Sequence, residues 1–278
     1  MMKLNDKLVF FTRQELFAHP ISMAATVGTK TFRMRLPREW IYFPYRWLVF
    51  FPGFVAVTFL SMVSIVILGR FLGTSFTGKH IAARWARITA RLIPMAVSVS
   101  GTEHIDPEQR YVVVANHQSF SDIFLAYGWL GIDCKWIIKK SVRNFPLIGT
   151  SCKYLGHIFI DRSDPKNAIQ TLVAEGKKAV SNSSIFIFPE GTRSDTGSIQ
   201  PFKKGAFVLA TELGLPVLPV TLNGTEKIMP KHSTRLMPGQ VQMVVHPPIE
   251  TGSCKKENID SLMEEAKKRI AQGRLGHF

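Results

Sequence analysis

Asn116-His117-Gln118-Ser119-Phe120-Ser121-Asp122 follows directly on the apolar run Tyr111–Ala115. Histidine is the side chain whose ordinary titration range suits general-base work near neutral pH. A carboxylate five residues on can reach back to the other ring nitrogen, fixing the tautomer and stabilising the imidazolium as it forms. Positions i and i+5 do not share a helix face, so part of this segment must be a turn. The plainer reading is a polar strand-to-helix cap built by Ser119 or Ser121.

A second block, Phe188-Pro189-Glu190-Gly191-Thr192-Arg193-Ser194, also closes an apolar run. Pro189 and Gly191 impose an irregular loop. Arg193 offers a planar fork for phosphate or carboxylate, and backbone N–H groups near Gly191 can form an anion nest. A third block, Gly156-His157-Ile158-Phe159-Ile160-Asp161-Arg162, places another arginine after another apolar run. The fourth, Leu215-Pro216-Val217-Leu218-Pro219-Val220, is an apolar strand spaced by prolines. Pro219 cannot donate to a ladder, which predicts an edge or irregular strand.

The elements that carry these blocks alternate. Strands are predicted at 96–100, 111–115, 135–138, 157–160, 184–188, 216–222 and 241–246, with helices at 122–130, from 165 onward, and at 206–213. Asp164 and Asn258 are placed to cap helices, with Ile259, Leu262, Met263, Ala266 and Ile270 on one face of the last and Gly273 ending it. The pattern implies an α/β fold, a layered, mostly parallel (mixed) sheet flanked by helices. In such sheets ligands bind at the carboxyl ends of the strands, where the first three blocks fall.

The 278 residues carry 35 Lys+Arg against 20 Asp+Glu, a formal charge of +15, yet 46% are hydrophobic and 20 are Phe. That combination excludes a disordered chain and suits an anionic membrane surface better than nucleic acid, for which no binding motif is present. Trp47 to Gly69 is free of charge and bracketed by Arg46 and Arg70. As a helix it would be about 34 Å long, enough to cross the hydrocarbon core. Pro52-Gly53 interrupts the run, and both flanks are basic. A helix lying in one leaflet, or a re-entrant hairpin, therefore competes with a span. In 79–92, Ile81, Trp85, Ile88 and Leu92 share one helical face, and Arg84, Arg87 and Arg91 share another. The fold class thus gains an N-terminal membrane-associated helical segment. The expected division is a basic arm at 1–38, membrane-associated helices at 39–94 and the α/β domain at 95–278. Three cysteines, Cys134, Cys152 and Cys254, form neither a disulfide framework nor a metal site, which points to reduced thiols and no metal.

Taken in order, the four blocks resemble the glycerolipid acyltransferases, and among them the 1-acyl-glycerol-3-phosphate acyltransferase family, over roughly residues 95–250. Asn116 through Asp122 looks like the family's NHxSxxD block, Gly156 through Arg162 its GxxFIDR block and Phe188 through Ser194 its FPEGTRS block. Leu215 through Val220 is similar to its proline-containing fourth block. Ile138-Lys139-Lys140 with Pro146-Leu147-Ile148-Gly149 resembles a lysine-containing stretch before the second. The resemblance implies acyl transfer from a thioester to the sn-2 hydroxyl of a 1-acyl-glycerol-3-phosphate, giving phosphatidic acid. His117 would be the base and Asp122 its orienting partner. Arg162, Arg193 and Lys139 would hold the acceptor phosphate, and Glu190, Gly191 and Thr192 would shape the pocket.

No cofactor is implied beyond the co-substrate, an acyl-CoA or an acyl-carrier protein. A thioester is already activated and no G-x-S-x-G elbow occurs, so direct attack is favoured over an acyl-enzyme on Cys134 or Cys152. The implied partners are anionic membrane lipids and a lysophospholipid acceptor, with no nucleic acid. The implied location is a membrane's cytoplasmic face, the inner membrane in a bacterium. A different lysolipid acceptor, or a non-catalytic lipid-binding membrane protein, are the competing readings.

Overall fold

The structure is a computed structural model that describes residues 22–27, 30–35, 38–161, 163, 165–181, 183–252 and 258–274. Arg162, Asp164 and Cys254, singled out above, lie outside them. Strands β1 (Ser22–Val27) and β2 (Lys30–Arg35) pair antiparallel. Helices α1 (Arg38–Tyr45), α2 (Phe51–Phe76) and α3 (Ala83–Leu92) follow, joined by π turns at 46–50 and 77–82.

The main sheet has seven strands: β3 (Met95–Ser100), β4 (Val112–Ala115), β5 (Cys134–Lys139), β6 (Ile158–Ile160), β7 (Ser184–Ile187), β8 (Val217–Asn223) and β9 (Gly239–Val245). Their spatial order is β3-β9-β8-β4-β7-β5-β6, and every neighbouring pair is parallel except β8/β9. The mixed, mostly parallel sheet read from the sequence is therefore present. Its strands alternate sides. Val113 and Ala115 join the core under α3 and α4 (Ser121–Trp129), with Phe124 and Leu125. Val112 and Val114 join the opposite core, with Leu172, Phe207 and Ile270. That side is covered by α6 (Pro165–Ala179), α7 (Gly205–Leu213) and α9 (Ile259–Gln272); α5 (Ile148–Tyr154) and α8 (Thr225–Ile228) are short connectors.

Pro219 does not mark an edge, because β8 lies between β9 and β4 and all seven of its residues are buried. The His246 N–H donates to the Pro219 carbonyl at 3.0 Å, so the proline's backbone groups face β9. There the ladder stops at Val220↔Val245, and pairing resumes only at the Val217↔Ile249 bridge. The missing donor falls in that gap. Asn258 stands at the N-cap of α9 without a side-chain capping bond. Gly273 follows α9 in helical conformation, and its lack of a side chain serves packing instead: a Cβ would come within 2.5 Å of Thr221 Oγ1.

Residues 42–92 form a helix long and apolar enough to cross a membrane, and only 6% of its most apolar window is buried. Pro52 does not break it: the π turn at 46–50 stands just before the proline, and the flanking residues keep helical dihedrals. The break is at Gly73, whose φ of 79° and ψ of 167° are open to glycine and strained for other residues. The two arms fold back antiparallel about it. Tyr45 Oη donates to Leu92 O at 2.8 Å, and Trp85 Nε1 to Thr58 Oγ1 at 3.0 Å. Leu48 (77%), Phe59 (57%) and Phe71 (76%) stand exposed on it. Of the apolar stripe, Ile81, Trp85 and Leu92 pack half-buried against the protein and not wholly toward solvent, beside a face of small residues. Ala83, Ala86, Thr89 and Ala90 are buried there, Ile88 is exposed, and Arg87 Nε donates to Gly128 O at 2.6 Å. Small side chains let two helices approach closely, which the sequence stripe did not express.

Candidate active site

The five strands β4 to β8 run parallel, so their carboxyl ends share one edge. Residues 116–119 leave β4 as a loop, and α4 begins at Ser121. His117 therefore sits on the turn and Asp122 in the first helical turn, the arrangement their spacing requires.

His117 Nδ1 lies 2.8 Å from Asp122 Oδ2. That oxygen also accepts the N–H groups of Gln118 (2.7 Å) and Ser119 (2.8 Å), and Oδ1 accepts the Thr225 hydroxyl. With acceptor roles throughout, the carboxylate requires the ring proton on Nδ1 and leaves the Nε2 lone pair open. Asp122 is fully buried while the His117 side chain is 16% exposed. The imidazole stacks on Phe188 with centroids 3.8 Å apart and planes 8° from parallel. Ser119 Oγ accepts the Ser121 N–H at 3.1 Å and donates to Met229 O at 2.8 Å, while Phe120 stands at the N-cap of α4 without a side-chain capping bond.

The 188–194 loop is fastened to the same turn. Glu190 is buried, its Oε1 accepting the His117 N–H at 2.7 Å and its Oε2 the Gln200 N–H at 3.0 Å. The Ser194 N–H donates to the His117 carbonyl at 2.8 Å. Gly191 turns the loop with φ 75°, Thr192 is exposed, and Arg193 is half-buried, its carbonyl taking a 2.8 Å bond from Lys231 Nζ. Asn116 spans from β4 to β8, donating to Leu222 O and accepting the Leu222 N–H, both at 2.8 Å.

His117, Asp122 and Glu190 are thus in direct contact and Arg193 rides the same loop. Lys139 is exposed at the end of β5, two strands and about 10 Å across the edge from β4. Arg162 lies outside the described residues. Sequence reasoning missed Phe188 as a ring support, Gln200 and Lys231 as loop anchors, and Thr225 as a partner of Asp122. Thr225 is 103 positions from Asp122, and no local spacing signals such a contact.

Burial lifts the Glu190 carboxyl to about 7, against the pull of the two amide donors. The folded state then holds a proton between the unfolded carboxylate's ordinary range and pH 7, so stability falls as pH rises through that window. The melting temperature of the wild-type protein relative to Glu190→Gln is expected to drop between pH 4.5 and 7; parallel melting curves would contradict this. Burial also pushes the Cys134 thiol well up and that of Cys152 to about 11. Both are protonated near neutrality, and Cys134 starts β5 at the opposite edge of the sheet.

The His117–Asp122 pair and the 188–194 loop thus share one sheet edge, and the Acyltransferase family model matches residues 96–223. A chloroplastic 1-acyl-sn-glycerol-3-phosphate acyltransferase of Brassica napus is 37% identical over 195 residues, 69% of this chain and 54% of that protein. The 1-acyl-sn-glycerol-3-phosphate acyltransferase alpha of Homo sapiens is 33% identical over 177 residues, 63% of this chain and 62% of that protein. The chain thus spans between half and two thirds of the length of these curated relatives. The crystal structure of the 1-acyl-sn-glycerophosphate (LPA) acyltransferase PlsC from Thermotoga maritima superposes with a TM-score of 0.70 at 26% identity, covering 86% of this chain and 98% of that one. Over these stretches the chain is similar to 1-acyl-sn-glycerol-3-phosphate acyltransferases, and its fold matches that of the Thermotoga maritima protein.

Proposed function

We propose that this chain is a membrane-bound enzyme that moves a fatty acyl group from a thioester to the sn-2 hydroxyl of 1-acyl-glycerol-3-phosphate, giving phosphatidic acid. The observation that carries the reading is the open Nε2 of His117, held by Asp122 and Phe188 beside the Arg193 loop. Nε2 takes the hydroxyl proton as the oxygen attacks the thioester carbonyl, and the proton passes to the departing thiolate. Asp122 stabilises the imidazolium formed between those steps. Arg193, with Lys139 and Arg162, holds the acceptor phosphate, and Glu190, Gly191 and Thr192 keep the loop in shape. The donor is an acyl-CoA or an acyl-carrier protein.

The exposed apolar side of the 42–92 hairpin and the charge of +15 support attachment to anionic bilayers, and the cytoplasmic face of the membrane is the proposed location. The test crosses both donor types with several lysolipids in an acyl-transfer assay, alongside flotation with anionic vesicles. The expected result is phosphatidic acid from 1-acyl-glycerol-3-phosphate and co-flotation of the protein. Transfer confined to lysolipids with other headgroups would move the assignment to a different acceptor.

A further inference from the structure

Thr225 opens the short helix after β8 and is fully buried, as is Asp122. Its hydroxyl lies on Asp122 Oδ1, the one carboxylate oxygen that His117 and the turn amides leave over. The approach is built in. Gly224 precedes it with φ 80°, and a Cβ there would sit 2.4 Å from the Gln240 carbonyl, so only glycine lets β8 deliver Thr225 at this height against β9. A buried carboxylate oxygen without a donor is costly, and a carboxylate held at one end only can pivot.

We infer that Thr225 is a positioning residue for the acyl-transfer reaction, locking the Asp122 carboxylate so that Oδ2 holds the His117 ring with Nε2 aimed at the acceptor hydroxyl. The inference rests on the proposed base role of His117 and extends it to the far end of the proline-spaced strand. The four donors leave the carboxylate a single orientation, in which the Nδ1-H tautomer is the only one it accepts. Without the Thr225 hydroxyl, the orphaned oxygen would draw the carboxylate toward another donor and loosen the ring.

The test compares Thr225→Val, which keeps the shape and removes the donor, with Thr225→Ser, which keeps the donor. Valine is expected to lower kcat about ten- to a hundredfold, the size of one charge-assisted hydrogen bond, with the acceptor KM changed by no more than about twofold. Serine is expected to restore most of the rate. Wild-type kcat in a folded Thr225→Val protein would overturn the inference. So would a loss confined to KM, or equal losses in the serine and valine variants, which would assign the effect to packing. Thr225→Cys, a weak donor, covers the case in which valine fails to fold: an intermediate kcat supports the inference and an undiminished one overturns it. His117→Ala is assayed in parallel. Residual wild-type turnover there would strike the base role itself, an outcome distinct from any result at Thr225.

Discussion

His117→Ala is expected to lower kcat about 10²–10⁴-fold, the contribution of a positioned general base, while the protein still folds and floats with vesicles. The geometry makes this substitution clean. The backbone N–H of residue 117 keeps its bond to Glu190 and the carbonyl its bond from Ser194, because neither involves the ring. Asp122 Oδ2 loses one of three donors and retains the amides of Gln118 and Ser119. What disappears is the ring stacked on Phe188 and its open nitrogen. Steady-state kinetics with a melting curve decide the matter, and normal turnover in a folded variant would refute the assignment.

Asp122→Asn is expected to cost about 10²–10³ in kcat, less than the roughly 10⁴ seen when an asparagine in this role turns the histidine to the wrong tautomer. The reason is the crowding of donors at Oδ2. Three N–H groups point there, so the amide oxygen must occupy that site and the NH₂ must face Thr225, whose hydroxyl rotates to accept it. The tautomer then survives, and only the negative charge opposite the imidazolium is lost. Asp122→Ala is a poorer probe, because it strands two turn amides and a buried hydroxyl and mixes folding with chemistry. A melting temperature near wild type with a reduced kcat is the expected signature for asparagine; unchanged kcat would show that the charge plays no part.

The sheet was legible because its strands are short apolar runs closed by polar loops, and a buried parallel strand reads that way. The turn between His117 and Asp122 was legible from five-residue spacing alone. Pro219 interrupts the β8/β9 ladder as its missing donor requires, but inside the sheet and not at an edge, because a sequence does not say where a neighbouring strand stops. Pro52-Gly53 does not mark the break either, because a π turn precedes the proline and the helix runs on, whereas Gly73 adopts a conformation that only the folded-back arms require. The links from Glu190 to His117 and from Thr225 to Asp122 join residues 73 and 103 apart. They exist because parallel strands bring distant loops to one edge, and no periodicity records that.

The fold-back at Gly73 bears on how a lipid would reach His117. The hairpin runs the length of the sheet, from Arg46 beside Thr234 near the catalytic edge to Gly78 beside Asp133 at the other. Arg46 thus stands at one end and Arg70 and Lys79 near the other, so cations mark both ends of the apolar hairpin. Laid flat in a single leaflet, both ends meet headgroups, and no inside-outside charge bias is needed. A monotopic seat of this kind would let lysolipid arrive and product depart by two-dimensional diffusion, without either passing through water.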